Sequence, residues 1–137
     1  MWTQAHIVCL QEVEGKSEII EFLRGKGYEG YLMKKPHPDR HDGPATFYDS
    51  SRFDLEKKFE VPYAYKVDSG NKGGTGLYEK GNCCLIMALR SKEQRDRIYL
   101  VANTHLNFNN NRGDIKLSEM KLMVDALSQL RSYYGDV

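Results

Sequence analysis

Two apolar runs in this chain end on side chains that can do chemistry. Ile7-Val8-Cys9-Leu10 leads into Gln11-Glu12, and Ile98-Tyr99-Leu100-Val101-Ala102 leads into Asn103-Thr104-His105. A short, β-rich apolar run reads as a buried strand, and a rigid strand holds the side chains at its rim in fixed positions. The rim of the sheet is where α/β proteins commonly build their sites. Glu12 offers the hard oxygens that Mg²⁺ takes from one or two protein carboxylates. His105 offers a ring that donates to an anionic oxygen or moves a proton. Taken singly, each has an ordinary reading: a solvated glutamate at a strand end, and a structural histidine beside Thr104.

Other candidate groups read as structure. His37 and His41 have an H-x₃-H spacing with Asp39 and Asp42 interleaved. Pro36 and Pro38 make that segment a loop without a third ligand on a fixed element, so an exposed polar loop near the site mouth is expected rather than a metal site. Lys34, Lys35 and Arg40 read as solvated surface rather than a track for a nucleic-acid backbone. Phe47, Tyr48, Phe53, Tyr63 and Tyr65 fall at strand spacing, which favours core or cross-strand pairs over base-stacking platforms.

The elements that position Glu12 and His105 follow from pattern. Ile7 to Leu10 predicts a strand buried on both faces. Ser17 caps a helix carrying Ile19, Ile20, Phe22 and Leu23, and Gly27 stops it. Further strands are expected at 28–34, 45–48 and 53–61. Asp68 to Gly76, with four glycines, reads as a short linker. Cys83 to Leu89 and Ile98 to Ala102 predict a β-hairpin. Asp114 caps a last helix whose stripe Leu117, Met120, Val124, Leu127 and Leu130 is expected in the core. This order predicts a mixed sheet with helices on one side. The strands are too apolar for an open face, so a second covering layer is expected to be missing from the chain.

Composition sets outer bounds. The chain has 137 residues, with 20 basic and 19 acidic side chains and a formal charge of +1. Hydrophobic residues at 40% and charged residues at 28% exclude disorder. No stretch approaches the roughly 20 apolar residues of a membrane helix. Balanced charge gives no global pull toward nucleic acid. Three cysteines without C-x-x-C spacing read as reduced thiols inside a cell. With no secretory pattern at Met1-Trp2-Thr3-Gln4, a cytoplasmic location is the default expectation.

Ile7-Val8-Cys9-Leu10-Gln11-Glu12-Val13 resembles the first metal-binding motif of the endonuclease/exonuclease/phosphatase superfamily. Asp42-Gly43-Pro44-Ala45-Thr46-Phe47-Tyr48, followed by Phe53-Asp54-Leu55, resembles the "DG-x-A" strand of its deadenylase branch. Val101-Ala102-Asn103-Thr104-His105-Leu106, then Arg112-Gly113-Asp114-Ile115-Lys116-Leu117, resembles that branch's "NTHL…GD-x-KL" segment. The likeness is to the Angel and carbon catabolite repressor deadenylases, with nocturnin nearby, and the segments occur in family order.

The resemblance implies an α/β (α+β) fold, half of a four-layer α/β sandwich, with a mixed sheet and covering helices. It implies that Glu12 binds Mg²⁺, with Mn²⁺ as the alternative, and that His105 contacts the reacting phosphate. Both would be catalytic. Asn82 and Asp42 would shape the substrate site. Pro44 replaces a more usual cysteine and reads as a packing change. The implied activity is a Mg²⁺-dependent phosphodiesterase acting on RNA 3′ ends, poly(A) above all, with RNA as partner and no membrane. The alternatives are an inactive relative that acts as a binding module, or a phosphatase of terminal RNA phosphates or other substrates. The family also has an asparagine ahead of Leu-Gln-Glu and later Gly-Asp-x-Asn and Ser-Asp-His motifs, which this sequence lacks. Residues 1–137 are therefore expected to form a partial domain, truncated at both ends and inactive alone.

Overall fold

The computed structural model describes residues 4–68, 75–78 and 81–135. Strand β1 (Ile7–Glu14), helix α1 (Glu18–Gly25), β2 (Tyr28–Leu32) and β3 (Asp42–Asp49) form the first unit. β4 (Phe53–Pro62), a hairpin of β5 (Tyr65–Asp68) and β6 (Thr75–Tyr78), β7 (Cys83–Ser91), β8 (Ile98–Thr104) and α2 (Gly113–Tyr134) follow. One sheet has the order β1-β3-β2 and a second the order β4-β7-β8.

The sheets stack face to face, with β1 over β8 and β3 over β7. Alternation along the strands explains the layers. Leu85, Met87 and Leu89 of β7 point inward and meet Met33, Tyr48 and the half-buried Ile7 and Val101. Cys84 and Ile86 point outward, where Leu122, Met123, Ala126, Leu127 and Leu130 of α2 cover them. On the other flank Ala45 and Phe47 face Ile20 and Leu23 of α1. The layers run α1, sheet, sheet, α2, an α+β half-sandwich as the sequence predicts.

The structure corrects several details of that expectation. Every pairing among the described residues is antiparallel, so the strands form two antiparallel sheets and not one mixed sheet. The apolar face expected to lie bare is covered from within the chain, because the strands divide into two sheets that bury each other. β1 is not buried on both faces: it lies at a sheet edge, and Cys9 and Gln11 are exposed. On α2, Leu127 and Leu130 of the expected stripe pack on the sheet, but Leu117, Met120 and Val124 are exposed, and the covered face runs through Ile115, Glu119, Leu122, Met123, Ala126, Leu127 and Leu130. The helix is apolar over more than one face, and steps of three and four from Leu117 begin on a solvent-facing side and reach the covered face only at Leu127 and Leu130. Of the expected linker, Asp68 closes β5 and Thr75-Gly76 open β6, while 69–74 lie outside the described residues.

Ser17 stands at the N-cap of α1, and Gly27, at φ 84°, follows its end as the glycine pattern predicts. No helix among the described residues is long and apolar enough to cross a membrane. All three cysteines are free. Burial pushes the Cys83 thiol up to about 12 and the Cys84 thiol up to about 11. Burial raises the Cys9 thiol as well, but Cys9 alone is exposed, so alkylation of the native protein near pH ~8 is expected to modify Cys9 alone. Mass spectrometry reads this directly, and labelling of Cys83 in the folded state would contradict the packing.

Candidate active site

Glu12 owes its position to an irregularity in β1. Leu10 pairs with Ala45 and Val13 with Gly43, so Gln11 and Glu12 together stand opposite Pro44. This is a β-bulge, the device that re-aims a side chain beside a site. Glu12 takes φ 56°, the left-handed conformation that a non-glycine residue adopts at a cost of about 1–2 kcal/mol. Proline in sheets is confined to edges and bulges, and Pro44 fits here for that reason. It therefore does more than fill space, the role its sequence position suggested. Beside it, a Cβ on Gly43 would stand 1.8 Å from the Met33 carbonyl oxygen, so only glycine lets β3 pass so close to the end of β2.

His105 follows the last residue of β8. Alternation puts it on the same side as Val101 and Asn103, toward β1. Its Nδ1 lies 3.6 Å from Oε1 of Glu12. Side-chain exposures of 41% for His105 and 67% for Glu12 leave both groups open to a ligand. The chain's two rim residues, 93 positions apart in sequence, thus share one spot.

Asn103 ties the rims together. It is 2% exposed. Its Nδ2 donates to the Leu10 and Ala45 carbonyl oxygens at 2.9 and 3.0 Å, with the Thr46 hydroxyl at 3.3 Å. Its Oδ1 accepts from Gln11 Nε2 at 2.8 Å. One amide from β8 therefore fixes β1 just before the bulge. Next to it the Thr104 hydroxyl donates to the Cys83 carbonyl at 3.0 Å and accepts from the Tyr63 hydroxyl at 2.9 Å. Gln11 and Asn103 lie within the quoted motifs, yet their bridging role was not read from sequence. A polar residue at an inward strand position was the signal.

The side chains of Asp42 and Asn82 are claimed by other partners. Asp42 pairs with Lys35, whose Nζ is 2.6 Å from Oδ2. Burial resists ionisation of Asp42, but the hydrogen bond and charge of Lys35 outweigh it and hold the carboxyl below its usual range. Asn82 is turned to α2, its Nδ2 donating to Glu119 Oε1 at 2.8 Å. Lys34 and Arg40 are exposed, while Phe47, Tyr48 and Tyr63 are core residues, and the side chain of Tyr65 lies outside the described set. Among the described residues no three metal-ligating side chains cluster, His37 and His41 included.

The Asp42 pair has a pH signature. A carboxyl whose folded value is lowered contributes stability that is present above its unfolded value and lost as pH falls through the folded one. Asp42→Asn is expected to cost about 2 kcal/mol at neutral pH. Denaturant melts should show that gap closing below about pH 3.8. A gap independent of pH would contradict the ion pair.

Glu12 is the one residue here that would hold an ion such as Mg²⁺. Such ions keep several waters and take one or two carboxylates, and Glu12 is an open carboxylate at a rigid bulge. His105 would be a poorer ligand for so hard a cation and would serve instead as a donor to an anion.

No protein-family model matches the chain. Individual relatives do match. Carbon catabolite repressor protein 4 homolog 4 of Arabidopsis thaliana is 27% identical over 97% of this chain and 39% of its own length. Protein angel of Drosophila melanogaster is 31% identical over 95% of this chain and 36% of its own. The CCR4-Not complex 3′-5′-exoribonuclease subunit Ccr4 of Candida albicans is 30% identical over 93% of this chain and 18% of its own.

The chain is a homologue of the carbon catabolite repressor 4 and Angel proteins. That places it in the endonuclease/exonuclease/phosphatase superfamily, as its motifs imply. It spans about two fifths or less of the length of these relatives. Solved structures agree. ANGEL2, a 2′,3′-cyclic phosphatase, superposes with TM-score 0.73 at 28% identity, over 92% of this chain and 34% of that one. The human nocturnin catalytic domain shares the fold, with TM-score 0.77 at 21% identity, over 94% of this chain and 47% of that one.

Proposed function

We propose that this chain carries the cation-holding and phosphate-contacting part of a Mg²⁺-dependent phosphodiesterase that acts on RNA 3′ ends. The adjacency of Glu12 and His105 at the common rim of two sheets is the observation that supports it. Hydrolysis of a phosphodiester gathers negative charge on the non-bridging and leaving oxygens. When bound, the ion supplies Lewis-acid stabilisation of that charge. Glu12 holds it on the bulge. His105 donates a hydrogen bond to a phosphoryl oxygen, and Asn103 keeps the two groups in register.

A second reading keeps the site and changes the substrate. ANGEL2 is a 2′,3′-cyclic phosphatase, which favours hydrolysis of a terminal cyclic phosphate over removal of adenylates. One experiment separates the two. Full-length protein is incubated with RNA ending in oligo(A) and with RNA ending in a 2′,3′-cyclic phosphate, with and without Mg²⁺. Mg²⁺-dependent shortening of the first supports the deadenylase reading, and opening of the second without shortening supports the phosphatase reading. Neither product in Mg²⁺ or Mn²⁺ would overturn both.

A further inference from the structure

Glu119 is an acidic residue with no exposed surface, placed on the packed face of α2. A buried carboxylate is retained only where hydrogen bonds compensate its desolvation. Its Oε1 accepts from Asn82 Nδ2 at 2.8 Å, and its Oε2 accepts from the Asn107 backbone N–H at 2.7 Å. Those donors belong to different loops at the same end of the second sheet: the turn entering β7 and the segment leaving β8. The Asn82 carbonyl in turn accepts from the Tyr63 N–H at 2.9 Å. His105 is therefore bracketed. Thr104, before it, is held by Tyr63 and Cys83, and Asn107, after it, is held by Glu119. Glu12 belongs to the other sheet, where Asn103 rather than Glu119 ties down the neighbouring Leu10 and Gln11.

We propose that Glu119 is a positioning residue that fixes the backbone on which His105 rides, so that the imidazole meets the phosphate while Glu12 holds the cation independently. This rests on the reading of Glu12 and His105 as the phosphate site. A misplacement of order 1 Å at such a group costs about a hundredfold in turnover. The loss falls on kcat, because the cation affinity belongs to Glu12.

The test uses full-length protein with Glu119→Ala, Glu119→Gln and Asn82→Ala, and Leu130→Ala as a control on the same helix face. Glu119→Ala is expected to lower kcat about a hundredfold with Mg²⁺ affinity unchanged, and to speed hydrogen exchange of the Asn107 amide. Glutamine keeps one acceptor and should fall between alanine and wild type. Leu130→Ala is expected to lower Tm with kcat unchanged at temperatures well below melting. A folded Glu119→Ala protein with wild-type kcat overturns the proposal, as does a loss no larger than that of Leu130→Ala. If Glu119→Ala does not fold, Asn82→Ala decides: about a tenfold fall in kcat supports the clamp, and an unchanged kcat overturns it. If wild-type protein turns over no RNA, the functional reading fails separately. The clamp is then judged by Asn107 exchange, slow in wild type and fast in Glu119→Gln if it holds, equal in both if it does not.

Discussion

Glu12→Gln is expected to weaken divalent-cation binding at least about a hundredfold and to lower turnover of the full-length protein at least as much. The amide keeps the size of the side chain but removes the charge that balances the cation's hydration. The bulge should survive, because it depends on the register opposite Pro44 and not on the carboxylate. His105→Ala is expected to differ in kind. It removes a donor to charge developing on phosphate, at a cost of about 10²–10³ in kcat, and leaves cation affinity near wild type. Calorimetric titration with Mg²⁺ beside steady-state kinetics separates the two. Equal cation affinity in wild type and Glu12→Gln would remove the glutamate from its role, and an unaltered kcat in His105→Ala would remove the histidine from its own.

Asn103→Leu is expected to give the largest loss of stability, about 3 kcal/mol in denaturant melts. Leucine matches the volume but strands the Leu10 and Ala45 carbonyls, both partners of one buried side chain, and releases the exposed Gln11 amide to water. Each stranded group bears its desolvation with no partner in return. Cation affinity should fall with stability, since the amide holds β1 at the residue where the bulge begins. A variant as stable as wild type, or destabilised with undiminished cation affinity, would break the link drawn between the bridge and the position of Glu12.

Much of this was legible in the residue pattern because periodicity and turn chemistry carry it. The run Cys83 to Leu89 is apolar on both faces and became the central strand of a sheet, and Gly27 ended the first helix where its left-handed backbone is needed. Glu12 and His105 stood out because each closes an apolar strand. What was hidden depends on the third dimension. Strand order is not written in any single strand, so the division into two sheets, and the edge position of β1, could not be read from its apolar letters. The choice of buried face on α2 was hidden because the helix is apolar over more than one face. Asp42 and Asn82 were expected to shape the site, but Lys35 and Glu119 claim their side chains. Those partners are identified by packing alone.

Broadening of the His105 ring resonances by Mn²⁺ measures the shared site most directly, since a paramagnetic ion relaxes only nuclei close to it. With wild-type protein, substoichiometric Mn²⁺ should broaden the His105 ring before those of His37 and His41, and Glu12→Gln should abolish that selectivity. Broadening that spares His105, or that persists unchanged in Glu12→Gln, would show that these two side chains do not meet around a common cation.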